Sequence, residues 1–557
     1  MRWDTFLGRV AAEGRAESLF DDTSRETSAA TGSIVAIDGA GEETVLAAPG
    51  TGAASVWALA GRHGLDPRYP KAVLDEVARW EASPGLDDES LSDRRATPFV
   101  TIDGASARDL DQAVFVETLE AGWRIHYALA DAAFYAPPGS ALFTEALRRG
   151  ASYYLPDRVV PMLPAALSEG LVSLNPEVDR RAVIFELTLG ADGTLAETAV
   201  VRGLVRSRAK LPFASVQAFY GGAREGTDAA IAASLDALRA VGLARMQLAE
   251  ERDIVRYRRE EVRIGTGDPL GFVTREDLRL DVERYNEQVS LLCNVAGARL
   301  MREGAERHGV EPIFRVHPAP GAERVEGFER FLEALVKAHD LDPAVWLWTR
   351  ERGSLAAFLD ELPTEGTEGR IASAVHRQAV MLNVRSTFQQ TPDRHHGVGA
   401  DVYARFTSPM REIVGVHLHH ELFELLSGGG EPDPNRREQV VQAANRAKQK
   451  QKHVENEANR LVLDQILGEA QRDGTILTGT LMGLARGKAH VRLDDPSIDV
   501  KAYLKHQARF GGAVAIEAEG STLVRGETRI ARVGDPIGLR VDAVEGEHWV
   551  LELRATP

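Results

Sequence analysis

The stretch Thr101-Ile102-Asp103-Gly104-Ala105-Ser106-Ala107-Arg108-Asp109-Leu110-Asp111-Gln112 sets three carboxylates within nine residues, directly after the strand-like run 98–102. Asp109 and Asp111 are two apart, so extended backbone sends both side chains to one face. Asp103 precedes them across a small loop containing Gly and Ser, which can fold it back beside them. Three carboxylates that close repel one another unless a cation sits among them or they take up protons. Oxygen-only ligands suit Mg²⁺, with Mn²⁺ as the alternative, and such ions also hold water and a substrate phosphate. Spacing alone leaves two readings open: a phosphate-processing metal site, or a solvated acidic loop.

A chain of 557 residues is long enough for several domains. It has no apolar run near the ~18 residues that a membrane span requires, and its first residues, Met1-Arg2-Trp3-Asp4, do not open a secretory signal. The single cysteine, Cys293, lies in an apolar helical stretch and reads as core. Together these point to a cytoplasmic protein. The formal charge of −17 excludes nonspecific coating of nucleic acid. A strand threaded through a locally basic channel remains compatible with it.

Along the chain, residues 1–20 read as an amphipathic helix, and 34–37 with 44–48 as a short hairpin. Helices follow at 56–63 and 71–80, then an acidic linker at 83–95. Residues 98–190 are strand-rich, with a hairpin around Glu120-Ala121-Gly122. Long helices are expected at 227–259, 281–303 and 436–470. From Gly474 short strands take over, at 475–484, 488–493, 513–519, 528–533, 537–544 and 548–553, the pattern of a five-stranded OB barrel. That segment carries eleven basic and eleven acidic residues, so affinity for RNA there must come from local patches.

After the acidic stretch come Ala130-Asp131-Ala132, Pro138-Gly139-Ser140-Ala141-Leu142, Arg149-Gly150-Ala151-Ser152-Tyr153-Tyr154-Leu155-Pro156, Pro161-Met162-Leu163-Pro164, Ser173-Leu174-Asn175-Pro176, Arg315-Val316-His317-Pro318-Ala319-Pro320 and Phe406-Thr407-Ser408-Pro409-Met410-Arg411. This ordered series closely resembles the catalytic domain of the ribonuclease II (RNB) family, over roughly residues 96–557. The resemblance implies an α+β fold: an RNB catalytic domain at 96–472, a mixed sheet packed with long helices, and a C-terminal OB-fold RNA-binding barrel at 473–557. The leader, 1–95, is too short for the two cold-shock-type domains of many relatives and is expected to be a small α/β or winged-helix-like module with its linker.

By the same resemblance, Asp103, Asp109 and Asp111 fall on three of four catalytic aspartates, and Gln112 on the fourth. The amide can still ligate a metal through its oxygen but brings no charge. Arg411 matches the arginine that contacts the scissile phosphate, a task suited to a guanidinium fork. Tyr154 matches the tyrosine that stacks on the 3′-terminal nucleotide; its other reading is a core aromatic. Glu455 is aligned with a glutamate near the active site, with Glu457 as its rival. Glu412, Ile413 and Gly415 replace the family's Arg, Tyr and Asp, which implies lost positive charge near the substrate. The basic run Arg446, Lys448, Lys450 and Lys452 fits RNA or a solvated helix face equally. His395, His396, His417, His419 and His420 invite a zinc reading, against which stands a structural motif. The implied activity is a monomeric 3′→5′ exoribonuclease hydrolysing single-stranded RNA to 5′-nucleoside monophosphates. The alternative is an RNA-binding protein on this scaffold with weakened catalysis.

Overall fold

Strand Val100–Asp103 carries the first aspartate at its end and lies inside a seven-stranded mixed sheet in the computed structural model. The structure describes residues 2–11, 14–252, 254, 261–267, 271–277, 279–517, 520–546 and 548–556. Across the sheet the strands run Ala209–Pro212, Val100–Asp103, Gln112–Leu119, Gly122–Ala130, Asp179–Leu189, Leu195–Arg206 and Ser92–Asp93. The expected hairpin joins Gln112–Leu119 to Gly122–Ala130. Gly122 is required at its turn, because a Cβ there would lie 2.0 Å from the Leu189 carbonyl. Pro212 is the parallel partner of Asp103, so the strand bearing Lys210 runs alongside the acidic loop.

The chain divides into two compact units, Met1–Arg252 with Arg279–His317 and Ser386–Asn456, and Asp253–Leu278 with Pro318–Arg385 and Glu457–Pro557. In the first unit, helix Ala229–Glu251 covers strand Gln112–Leu119, and Ser234 Oγ accepts the Val116 N–H at 2.8 Å. The side chain of Asp228 caps that helix at Ala230 and Ile231. Residues 253 and 255–259, in the last part of the expected 227–259 helix, lie outside the described residues. Helix Asp281–His308 follows as expected and is longer by a turn, with Cys293 fully buried in it.

The N-terminal expectation needs correcting. The described residues of 6–26 form three strands, Phe6–Val10, Arg15–Ser18 and Ser24–Glu26, and no helix. With Ile34–Ile37 and Glu43–Ala47 they make a five-stranded antiparallel sheet in the order 3-2-1-4-5, which is not a winged helix. Phe6–Val10 is held by pairing with the distant Ile34–Ile37, and Phe6, Val10, Val35 and Ile37 close the core between them. Non-local pairing of that kind overrides a local amphipathic pattern.

In the second unit, the helical segment 318–385 and the C-terminal strands share one apolar core, in which Leu332, Ile371 and Val375 meet Leu481, Met482 and Leu551. Helices that the sequence assigned with the catalytic domain are thus packed, by burial, with the C-terminal barrel. Its main sheet runs Asp499–Tyr503, Lys488–Leu493, Ile476–Ala485, Pro536–Glu545, His548–Ala555, again 3-2-1-4-5 in chain order. A separate three-stranded sheet comprises Val514–Glu517, Thr522–Arg525 and Thr528–Arg532. Asp499–Tyr503 and Thr522–Arg525 escaped the sequence reading; residues 518 and 519 of the expected 513–519 strand lie outside the described residues.

Candidate active site

The acidic loop is pinned from three sides. Ser173 Oγ accepts the Leu110 N–H at 3.0 Å and donates to the Arg108 carbonyl at 2.6 Å. Lys210 Nζ donates to the Ala105 carbonyl at 2.8 Å and also to that of Ala107. Leu110, between the two paired aspartates, is buried as an apolar anchor. These contacts fix the backbone while Asp103 and Asp109 stay partly accessible. Lys210 was not legible as a clamp, because its role arises from the parallel pairing of Ala209–Pro212.

Asp111 is buried, 2% exposed. One carboxylate oxygen accepts the Met410 N–H at 3.0 Å and the other meets Arg411 Nε at 2.5 Å. Burial pushes its carboxyl up to about 6, against the opposing pull of Arg411. Asp103 is also raised, chiefly by burial, and Asp109 adds repulsion to both. The structure thus brings Asp103, Asp109, Asp111 and Arg411 into one electrostatic cluster. Tyr154 joins it: the hydroxyl lies 3.5 Å from Asp109 Oδ2, and the ring is 53% exposed. An exposed ring beside the carboxylates is available for stacking; the core reading fits Tyr153 instead, which is 5% exposed.

Gln112 occupies a different position. Its Nε2 donates to the Thr407 carbonyl at 2.5 Å, and its Oε1 accepts from the buried Tyr127 hydroxyl. A carbonyl can only accept, so Thr407 fixes which end of the amide faces it. The oxygen expected to ligate metal is therefore already engaged. The network continues through Thr407 Oγ1 to Ser290 and Asn294, both at 3.0 Å, and from Asn294 to Tyr403 at 3.1 Å. It holds the 403–411 segment that presents Arg411.

The Arg411 backbone is tied to Tyr154's segment, since Ser152 N donates to its carbonyl at 3.0 Å. Glu412, expected to remove positive charge, is buried between Lys448 Nζ at 2.7 Å and Arg405 Nε at 3.1 Å. Arg405 and Lys448 hold its carboxyl at about 2, overcoming burial. Two cations against one carboxylate leave this group with one excess positive charge. Lys448, half-buried, is here the ion-pair partner of Glu412. Gly415 lets the chain approach residues 408–409, since a Cβ would sit 2.8 Å from Pro409 Cα.

Glu455 is not drawn into this cluster. It is on helix Pro434–Asp473, 62% exposed at the side chain, with Lys452 at 3.4 Å. The histidines have structural duties: His417, His419 and His420 each bond through Nε2 to a separate carbonyl, of Glu311, Phe406 and Ala136. His395 packs 4.9 Å from Tyr403 and 5.2 Å from His317, ring to ring. Among the described residues, no three His, Cys, Asp or Glu side chains already converge as a metal cage. Toward a hard cation, the donor chemistry of Asp103, Asp109 and Asp111 fits, and Arg411 now serves as the counter-charge of Asp111. No described helix is long and apolar enough to cross a membrane.

Ribonuclease R of Vibrio parahaemolyticus is 28% identical over 515 residues, covering 86% of this chain and 58% of the relative. Ribonuclease R of Escherichia coli is 28% identical over 520 residues, covering 89% and 61%. The chain thus spans about three-fifths of the length of these relatives. In fold, it is similar to Mycoplasma genitalium RNase R in complex with ribose-methylated single-stranded RNA, with a TM-score of 0.80 at 18% identity over 99% of this chain and 89% of that one. It is also similar to yeast Ssd1, a pseudonuclease, with a TM-score of 0.64 at 11% identity, over 94% of this chain and 67% of that one. The RNB domain matches residues 91–428, which include every residue of the acidic cluster together with Tyr154 and Arg411. On that match the chain belongs to the RNB domain family.

Proposed function

We propose that this protein is a 3′→5′ exoribonuclease that hydrolyses single-stranded RNA to 5′-nucleoside monophosphates, as a cytoplasmic monomer dependent on Mg²⁺, with Mn²⁺ as an alternative. The observation that carries the reading is the joining of Arg411 to Asp111 at 2.5 Å, with Tyr154 beside Asp109 at 3.5 Å. Asp103, Asp109 and Asp111 would hold the divalent cation, which when bound activates water and neutralises phosphate charge. Arg411, kept protonated by its carboxylate neighbours, transfers its fork from Asp111 to the scissile phosphate. Asp111, whose raised carboxyl loses that counter-charge, would then be kept ionised by the divalent cation it helps to hold. Tyr154 stacks on the terminal base and fixes the strand's end against the cluster. The anchored backbone of residues 104–111 and 403–411 keeps these groups from reorganising during the reaction.

A second reading, an RNA-binding protein with weakened catalysis, is favoured by the engaged oxygen of Gln112, which leaves one ligand fewer. Product analysis separates the two. Incubation of a single-stranded oligoribonucleotide with Mg²⁺ is expected to release 5′-nucleoside monophosphates. Internal fragments, 3′-phosphates, or unaltered RNA would overturn the proposal.

A further inference from the structure

Within the second unit, a cavity of about 540 Å³ opens between the C-terminal half of helix Ala322–His339 and the hairpin of Thr522–Arg525 with Thr528–Arg532. Arg330, Lys337, Arg529 and Arg532 line it, with Thr522 and one carboxylate, Glu333. Arg532 is engaged, bonding Asp535 at 3.1 Å and the Ala338 carbonyl at 2.6 Å. Arg330, Lys337 and Arg529 are exposed and have no ion pair or hydrogen bond among the described residues. Three unpaired cations against Glu333 leave an excess of two positive charges, in a chain whose formal charge is −17.

Helix geometry shapes this site. Arg330, Ala334, Lys337 and Ala338 share one face by their spacing of four, seven and eight residues. The two alanines make a small apolar floor and the two cations its rim. Lys337 alone would be explained by the negative end of the helix dipole. Arg330 is two turns earlier and Arg529 comes from another element, so the dipole does not account for them. The volume falls within the range of ligand pockets, about 300–1,000 Å³.

We propose that this cavity binds the phosphate of a nucleotide. Two guanidiniums and an ammonium match the charge of a phosphate dianion, and Thr522 adds a hydroxyl donor. The alanine floor accepts the sugar or base. The nucleotide comes either free or as part of an RNA strand, and the site's existence does not depend on the hydrolytic reading of the aspartate cluster. The hairpin belongs to a sheet separate from the main sheet of the barrel, and none of the residues lining the cavity lies on that main sheet.

The test titrates the full chain in EDTA, which prevents metal-assisted phosphate binding and cleavage. The probes are adenosine 5′-monophosphate, inorganic pyrophosphate and a fluorescent single-stranded oligoribonucleotide. At least one is expected to bind saturably, and at least tenfold more weakly to Lys337→Glu/Arg529→Glu. Lys337→Arg is expected to retain binding. Both positions are exposed and unpaired, and matching melting curves would confirm that the swapped chain folds. Loss of the small probes identifies a free nucleotide; loss confined to the oligoribonucleotide identifies a strand. Equal affinity of wild type and charge-swap variant for all three probes overturns the proposal, as does the absence of binding by any of them.

Discussion

Gln112 donates to a carbonyl and accepts from a phenol, and only an amide can do both in that geometry. Gln112→Asp restores the family's carboxylate but sets its charge against the Thr407 carbonyl. The expected outcome is a loss of about 1–3 kcal/mol of stability, read by chemical denaturation, with no gain in nuclease rate. A faster and equally stable variant would contradict this. Arg411→Ala leaves the buried Asp111 without its cation and the phosphate without its fork. A fall in kcat on the order of 10²-fold or more is expected, in single-turnover assays on RNA. Glu412 makes a distinct pH prediction. Its folded-state carboxyl lies near 2 against an ordinary 4.5, so the folded protein binds that proton less readily than the unfolded chain. Its contribution is complete above pH 4.5 and fades as pH falls from 4.5 towards 2. Glu412→Gln should cost about 3 kcal/mol near neutrality, and its melting curve should converge on wild type through that window. A gap that stays constant to pH 2.5 would refute the ion pairs around the buried Glu412.

At the scale of elements, two hydrogen-bonded segments present the site: the loop between Val100–Asp103 and Gln112–Leu119, and the turn before helix Ile413–Leu426. That helix starts close against Pro409, with Gly415 at the contact. Gly415→Ala is expected to destabilise by about 1–3 kcal/mol and to lower kcat more than it raises KM, because it displaces Arg411. Unchanged kcat with normal stability would contradict the role. The hairpin at 112–130 and the helix expected at 281–303 were legible because their signals are local: alternation, turn residues and apolar periodicity. The strands at 6–26 were not, because Phe6–Val10 pairs with Ile34–Ile37 across a loop and also satisfies a helical pattern. Asp103, Asp109, Asp111, Tyr154 and Arg411 were found through motif order. The network that holds them was not: Ser173 and Lys448 stand in a motif and a basic run, but their partners, Leu110 with Arg108 and Glu412, lie far off in the chain, and Lys210 has no spacing of its own.

Across the whole molecule, a formal charge of −17 coexists with Arg411, the cation assigned to the substrate phosphate. Strand binding should therefore be salt-sensitive, each phosphate contact adding about 0.7 to the log–log slope for single strands. A slope near zero in filter-binding assays would contradict contact with the RNA backbone. The most direct test of the account is a time course on 5′-labelled single-stranded RNA with Mg²⁺, beside Asp111→Asn. A ladder shortening from the 3′ end in wild type, absent from the variant, is the predicted result. Intact RNA with both proteins, or equal cleavage by both, would contradict the claim that the aspartate cluster and Arg411 form a nuclease site.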